Sequence, residues 1–186
     1  MRFFSLFRSV MLIAMGVGAA TGVTAQTKPA AFTRPYSLTA GVTGSLFNPD
    51  YIDYKLGGIG AYLDLNLYHG IGIEAEGRWL RWHTYDDIHQ DNYLIGPRVK
   101  FLHIWRLQPY AKGLVGFSNM DFGPGYDGKD VYGRFTTVAF GGGVDLKVTR
   151  KWSIRPIDYE YQKYPEFLGS TLSPNGFTAG IGYKVF

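Results

Sequence analysis

Residues 58–82 limit what this chain can fold into more than any other stretch. Ile59, Ala61, Leu63, Leu65 and Leu67 alternate with Gly60, Tyr62, Asp64, Asn66 and Tyr68. After His69-Gly70 the alternation resumes, with Ile71, Ile73, Ala75 and Trp79 on one face and Glu74, Glu76 and Arg78 on the other. A period of two places alternate side chains on opposite faces of a strand, so the stretch is a β-hairpin. Its arms are about twice the usual strand length of roughly five or six residues. They suit a tilted membrane-spanning strand of about 9–11 residues. In a soluble sandwich the apolar face would turn inward and the charges would meet water. Here the length predicts the reverse, with the apolar face toward lipid and the charges pointing into a barrel.

The N-terminus reads as a leader. Arg2 and Arg8 precede a short apolar run at 10–20, and Val23-Thr24-Ala25 offers small residues before Gln26. That is the pattern of a cleavable secretory signal over 1–25. The run falls short of the about 20 residues a spanning helix needs, and no later run replaces it. A polar lead over 26–35 and one barrel domain over 36–186 complete the expected division. The 19 basic and 15 acidic residues leave the mature chain at only about +2, which is not the charge balance of a nucleic-acid-binding protein. Without cysteine there are no disulfides, thiolate metal sites or thiol nucleophile.

Eight strands are expected, at 36–47, 58–68, 71–82, 92–103, 108–120, 135–148, 152–164 and 175–186. The intervening connections run long, short, long, short, long, short, long, with long loops at 48–56, 84–91, 121–134 and 165–174. Outer-membrane barrels have an even strand number, short periplasmic turns and longer external loops. The fold class is therefore all-β: an eight-stranded antiparallel up-and-down transmembrane β-barrel with both termini on the turn side. Two prolines interrupt the pattern. Pro97 removes a ladder donor inside strand four. Around Pro156 the outward parity slips from Ile154 to Ile157, which a β-bulge would reconcile.

Aromatic residues gather at the two expected interfaces. Toward the loops stand Phe47, Trp79, Trp82, Tyr93, Phe117, Tyr161 and Phe177. Toward the turns stand Tyr36, Tyr68, Phe101, Trp105, Tyr110, Trp152 and Tyr183. Two such girdles are expected to flank the apolar band of a transmembrane barrel.

With these strands, turns and leader, the chain resembles the OmpA-type or opacity-type outer-membrane β-barrel family across 36–186. The resemblance implies a bacterial outer-membrane location and a terminal phenylalanine, Phe186, read by the barrel-assembly machinery. The family's usual aromatic two residues before that terminus is replaced here by Lys184, with Tyr183 one position earlier. Outer-membrane lipid and lipopolysaccharide are the implied surroundings, with Arg81 and His83 placed to meet lipopolysaccharide phosphates.

The inward charges form the main chemical constellation. They are Asp64, Glu74, Glu76, Asp145, Asp158 and Glu160 against Arg78, Arg98, Lys100, Lys112, Lys147, Arg155 and Lys184. Side chains just fill an eight-stranded barrel, and buried charges persist only when paired and hydrogen-bonded. A mutually neutralising plug is the expected result. Glu74 and Glu76 share a face as a general acid and base would, but no nucleophile accompanies them. The four histidines lack metal-ligand spacing. No His-x-Ser of the barrel deacylases is present, and a charged lumen does not suit an acyl-measuring palmitoyltransferase. The expectation is thus a non-enzymatic surface protein without metal or cofactor, its external loops, with Tyr51, Tyr54, Tyr126 and Tyr132, free to contact a ligand. A small or gated porin-like channel is the alternative. A lipid-modifying envelope enzyme and a lipocalin-like carrier stand further off.

Overall fold

The structure, a computed structural model, describes residues 36–49, 55–82, 88–102, 104–124, 130–167 and 170–186. The expected leader and lead, the side chains of Trp82 and Tyr132, and residues Tyr51, Tyr54, His83 and Tyr126 lie outside the described residues. The strands are β1 (Ser37–Asn48), β2 (Leu56–Tyr68), β3 (Ile71–Trp82), β4 (Ile88–Lys100), β5 (Leu107–Pro124), β6 (Asp130–Lys147), β7 (Trp152–Phe167), β8 (Ser170–Leu172) and β9 (Asn175–Lys184). Each of β1 to β7 pairs antiparallel with the next, β7 pairs with β9, and β9 returns to β1. Eight strands therefore close the barrel. The short β8 pairs only with the far end of β7, through Tyr164 opposite Leu172.

Tight turns join the strands at one end. His69 and Gly70 both have positive φ, 49° and 87°, as a two-residue type I′ hairpin turn requires. Ile104 and Leu107 exchange backbone hydrogen bonds of 3.0 and 2.9 Å around Trp105-Arg106. In the third turn Thr149 Oγ1 accepts from the Trp152 amide at 2.9 Å.

At the other end the strands outrun the expectation. β4 begins at Ile88 rather than 92, β5 reaches Pro124 rather than 120, β6 starts at Asp130 rather than 135, and β7 reaches Phe167 rather than 164. The expected loops at 84–91, 121–134 and 165–174 are correspondingly shorter. Alternation of apolar and polar residues ends where lipid ends. The ladder continues because a closed barrel offers every strand a partner on both sides.

The bulge at Pro156 is present. The β7–β9 register shifts between Arg155 and Asp158, and the β6–β7 register shifts between Val144 and Leu146. Pro97 causes no shift. It stays opposite Ile73 of β3, and β4–β5 pairing lapses between Ile95 and Arg98 and resumes in the same register.

The exterior is apolar. Val42, Ile59, Ile71, Ile95, Val115, Phe140 and Phe177 are each more than half exposed. This is the inverse of a soluble fold and the expected surface of a barrel in lipid. Aromatic clusters flank the band. Trp79, Tyr93 and Phe117 touch in sequence on the loop side. Trp152 meets Tyr183 edge-on at 5.0 Å on the turn side, where Phe101 and Trp105 also stand exposed. Two aromatics assigned to these girdles belong elsewhere. Tyr110 and Phe47 are only 2% and 1% exposed and point into the lumen. Their alternation parity places them there, and nearness to a strand end does not override parity.

The closing strands β1 and β9 present small residues to the lumen. Gly41 lies opposite Gly182, Thr43 opposite Gly180 and Ser45 opposite Thr178. The Tyr62 ring fills the space this leaves. A Cβ on Gly41 would collide with that ring and lie 2.7 Å from the Ile181 carbonyl oxygen, whereas one on Gly44 meets nothing within 4 Å. Gly41→Val should therefore lower stability by about 1–3 kcal/mol, the range of an overpacked core. Gly44→Val, facing outward, should be tolerated. Urea unfolding in lipid vesicles, followed by the heat-dependent gel shift of folded barrels, measures both.

Candidate functional site: the charged lumen

Period-two alternation delivers one or more charges from each of β2 to β7 to the barrel axis. Asp64 comes from β2; Glu74, Glu76 and Arg78 from β3; Arg98 and Lys100 from β4. Lys112 comes from β5, Asp145 from β6, and Arg155, Asp158 and Glu160 from β7. Six carboxylates and five cations meet there, and each takes part in an ion pair.

Arg155 is the hub. Its Nη2 donates to Glu74 Oε2 at 2.8 Å, its Nη1 to Asp158 Oδ2 at 3.2 Å and its Nε to Asp145 Oδ1 at 3.3 Å. Arg98 bridges Asp64 at 2.6 Å, Glu74 at 2.9 Å and Asp145 at 2.5 Å. Lys112 Nζ lies 3.3 Å from Glu74, 2.8 Å from Asp158 and 3.1 Å from Glu160, and also pairs with Glu76. Arg78 joins Glu160 and Glu76, each at 2.9 Å. Lys100 reaches Asp64 at 2.7 Å. These side chains are at most about a tenth exposed, so each charge relies on its partners in place of water.

The bulge on β7 builds part of this arrangement. Residues 155 and 158 would face opposite sides of a regular strand. The extra residue at Pro156 turns both inward and permits the Arg155–Asp158 contact.

Aromatic faces complete the arginine surroundings. Arg98 lies 3.6 Å from the Tyr110 ring centroid, Arg155 3.9 Å from that of Tyr62, and Arg78 4.3 Å from that of Phe47. The weakly hydrated guanidinium plane stacks favourably on such rings. Tyr110 also donates its hydroxyl to Asp158 at 2.8 Å. Alternation already placed Tyr62 on the inner face, but Phe47 and Tyr110 were assigned to the girdles, because an aromatic near a strand end fits a girdle equally well.

Glu74, Glu76 and Asp158 bring carboxylate oxygens within 4.8 Å of one another, a spacing that could hold a cation. The Lys112 ammonium contacts all three. It supplies within the protein the charge that a metal ion would bring.

Toward the loop end the lumen becomes neutral. Gln162 donates to Glu160 at 2.7 Å, Tyr164 to Gln162 at 2.6 Å, and Gln90 to Tyr164 at 2.9 Å. Ser118 and Thr137 hydroxyls pair at 2.7 Å. Met120, Tyr164 and Leu172 cluster with Phe135 beyond them. On one wall Leu94 packs with Leu114 and Ala139. These neutral and apolar groups were not part of the expected charge network.

Lys147 and Lys184 depart from that expectation in a different way. They follow the inward parity but are exposed, and neither forms an ion pair with a described residue. Each ends its strand at the turn-side mouth, beyond the last ring of paired charges.

A family model described as outer membrane protein beta-barrel domain matches residues 15–184. Among solved structures, Neisserial surface protein A is similar with a TM-score of 0.63 at 10% identity, covering 80% of this chain and 96% of that one. The N-terminal β-barrel domain of Pseudomonas aeruginosa OprF gives 0.57 at 12%, covering 78% and 96%. The attachment invasion locus protein Ail of Yersinia pestis gives 0.54 at 16%, covering 80% and 97%. At these identities the likeness is one of fold. No curated protein matches the chain in sequence.

Removing one member of a buried pair leaves its partners charged and unsolvated. Arg155→Met should cost about 3–5 kcal/mol of unfolding free energy. Adding Glu74→Gln to it should recover part of that loss, since the two side chains are in direct contact. Urea titrations of the single and double variants in vesicles test the coupling.

Proposed function

The chain belongs to the outer membrane protein beta-barrel domain family, and from that premise we propose that it is a non-enzymatic barrel whose lumen is closed by its own ion pairs. The observation that carries this reading is the Arg155–Glu74 contact with its neighbours Arg98 and Lys112. It spans the lumen from β7 to β3 and leaves no long side chain of the central ring without a partner. The same network argues against catalysis by Glu74 and Glu76. Both are bound by Lys112, so neither is poised to take a proton from a substrate.

In this reading the barrel anchors the loop-side surface in the bacterial outer membrane. The loops are the contact region for an external ligand, since binding residues concentrate on connections held by a rigid scaffold. Arg81, which pairs with Asp91, and Arg134, which lies over the Phe117 ring, face outward near the outer aromatic cluster. They suit lipopolysaccharide phosphates. Phe186, 6.3 Å from Tyr36 between ring centroids, serves as the assembly signal.

A gated pore is the second reading, favoured by one feature. Lys112 has four carboxylates within reach and can exchange partners without crossing the lumen. Recordings in planar bilayers separate the two. The closed reading expects no steady conductance from the wild type, with channel events appearing in a Lys112→Ala, Arg155→Ala double variant. Steady wild-type conductance would sink it.

A further inference from the structure

The charges of the central lumen neutralise one another, but those at the turn-side mouth do not. A cavity of about 130 Å³ opens there, lined by Lys100, Lys147, Arg150, Lys151 and Lys184 together with Asp64 and Asp145. Both carboxylates are already committed. Asp64 accepts from Arg98 and Lys100, and Asp145 from Arg98 and Arg155. Lys147, Arg150, Lys151 and Lys184 form no ion pair with any described residue. Lys151 Nζ lies 5.7 Å from the centroid of the outward Tyr183 ring, so Lys147, Arg150 and Lys184 are the cations of this concave surface with no carboxylate free to offset them. Like charges gathered in this way repel unless an anion joins them.

The surroundings are a donor set for a tetrahedral oxyanion. Hydroxyls of Ser37, Thr39 and Ser153 line the wall. The β6–β7 turn is held in shape by Thr149, whose Oγ1 accepts from the amides of Lys151 and Trp152 at 3.2 and 2.9 Å. Arg150 and Lys151 are therefore presented from an ordered turn. The Lys184 amide donates to the Lys151 carbonyl at 2.7 Å, which ties β9 to that turn. Asn66 Oδ1, a buried acceptor on the same wall, has no partner among the described residues. The Arg98 and Lys100 pairs close the floor, so a ligand enters from the periplasm and stops at the mouth. The volume is several times the about 10–15 Å³ that one water needs by the same measure, which leaves room for a small anion with waters.

We propose that the periplasmic mouth binds a phosphate-bearing anion, with Lys147 and Lys184 contributed by the barrel wall and Arg150 by the turn. Charge-assisted hydrogen bonds from ammonium and guanidinium groups are the strong contacts to such an ion. The site stands whether or not the lumen conducts, because it lies at the turn-side end, beyond the ring of paired charges. The phosphate can come from a soluble ester or from the headgroup of an inner-leaflet phospholipid, as Trp152 and Trp105 stand at that interface.

The test uses the full mature chain refolded in a zwitterionic detergent at low salt. Inorganic phosphate is titrated against wild type, a Lys147→Gln, Lys184→Gln variant, and Lys163→Gln, exposed near the loop end of β7, as a control at the opposite end. The heat-dependent gel shift verifies that each is folded. A loss of about tenfold in affinity in the double variant, with the control unchanged, supports the site. A second arm counts phosphatidylglycerol retained by each protein in native mass spectrometry after extraction from mixed phosphatidylcholine vesicles. Retention by wild type that the double variant loses also supports it and identifies a lipid source; a response in the phosphate arm alone identifies a soluble one. Equal behaviour of wild type and double variant in both arms, or no binding by wild type in either, overturns the proposal.

Discussion

The need to neutralise Arg155 organises this barrel. Its side chain has no access to solvent and touches carboxylates from β3, β6 and its own strand, with Tyr62 of β2 across its face. An isolated charge at that depth would be prohibitively costly, and the cost falls only when the partners are in place. The contacts therefore couple the inner faces of four strands, and Arg98 and Lys112 extend the coupling to β4 and β5. Backbone pairing closes the barrel, but the charge network sets which side chains must meet across it. Pro156 is part of the same solution. Without the bulge beside it, Arg155 and Asp158 could not both face inward.

The network is confined to six strands. β1 contributes no charge to it, and the one charge on the inner face of β9, Lys184, sits at the mouth. The closing seam is instead lined by glycines, serine and threonines, with Tyr62 and Phe47 lying against them. The two sides of the barrel thus rest on different physics. From β2 to β7 the strands are joined by backbone hydrogen bonds and by ion pairs across the lumen. At the β1–β9 seam the ladder is supported by ring packing against bare backbone. Small side chains there let the large rings and guanidinium groups of the opposite wall occupy the axis.

Much of this was legible in the sequence. Alternation over long strands specified which residues face inward, and it specified them correctly through the parity slip at Pro156. The reversal of faces followed from strand length, the expected leader and the rhythm of connections. Two kinds of information were not legible. The first is how far a strand continues once alternation stops. Residues 88–91 and 121–124 carry no sustained hydrophobic alternation, yet they pair because neighbours are present on both sides. β8 falls in the same class, since its pairing depends on where β7 ends. The second is depth along the barrel. Parity put Tyr110, Phe47 and Lys147 on the inner face, but depth decides what each does there. Tyr110 and Phe47 lie deep enough to stack on guanidinium groups, whereas Lys147 lies too low to reach a carboxylate.

Depth also arranges charge along the axis. The paired ring contains six carboxylates and five cations, so it is close to neutral with a small negative excess. The loop-side lumen beyond it is neutral amide, hydroxyl and apolar packing. The positive surplus lies below, at Lys147, Arg150, Lys151 and Lys184. A uniform distribution would have placed some of these cations in the ring, where the extra carboxylate could take one. Geometry forbids it, because the last inward positions of β6 and β9 lie past the carboxylates. The mouth's electrostatic character is therefore a consequence of strand register. Moving a charge one inward position along β6 or β9 would change whether it belongs to the paired ring or to the turn-side mouth.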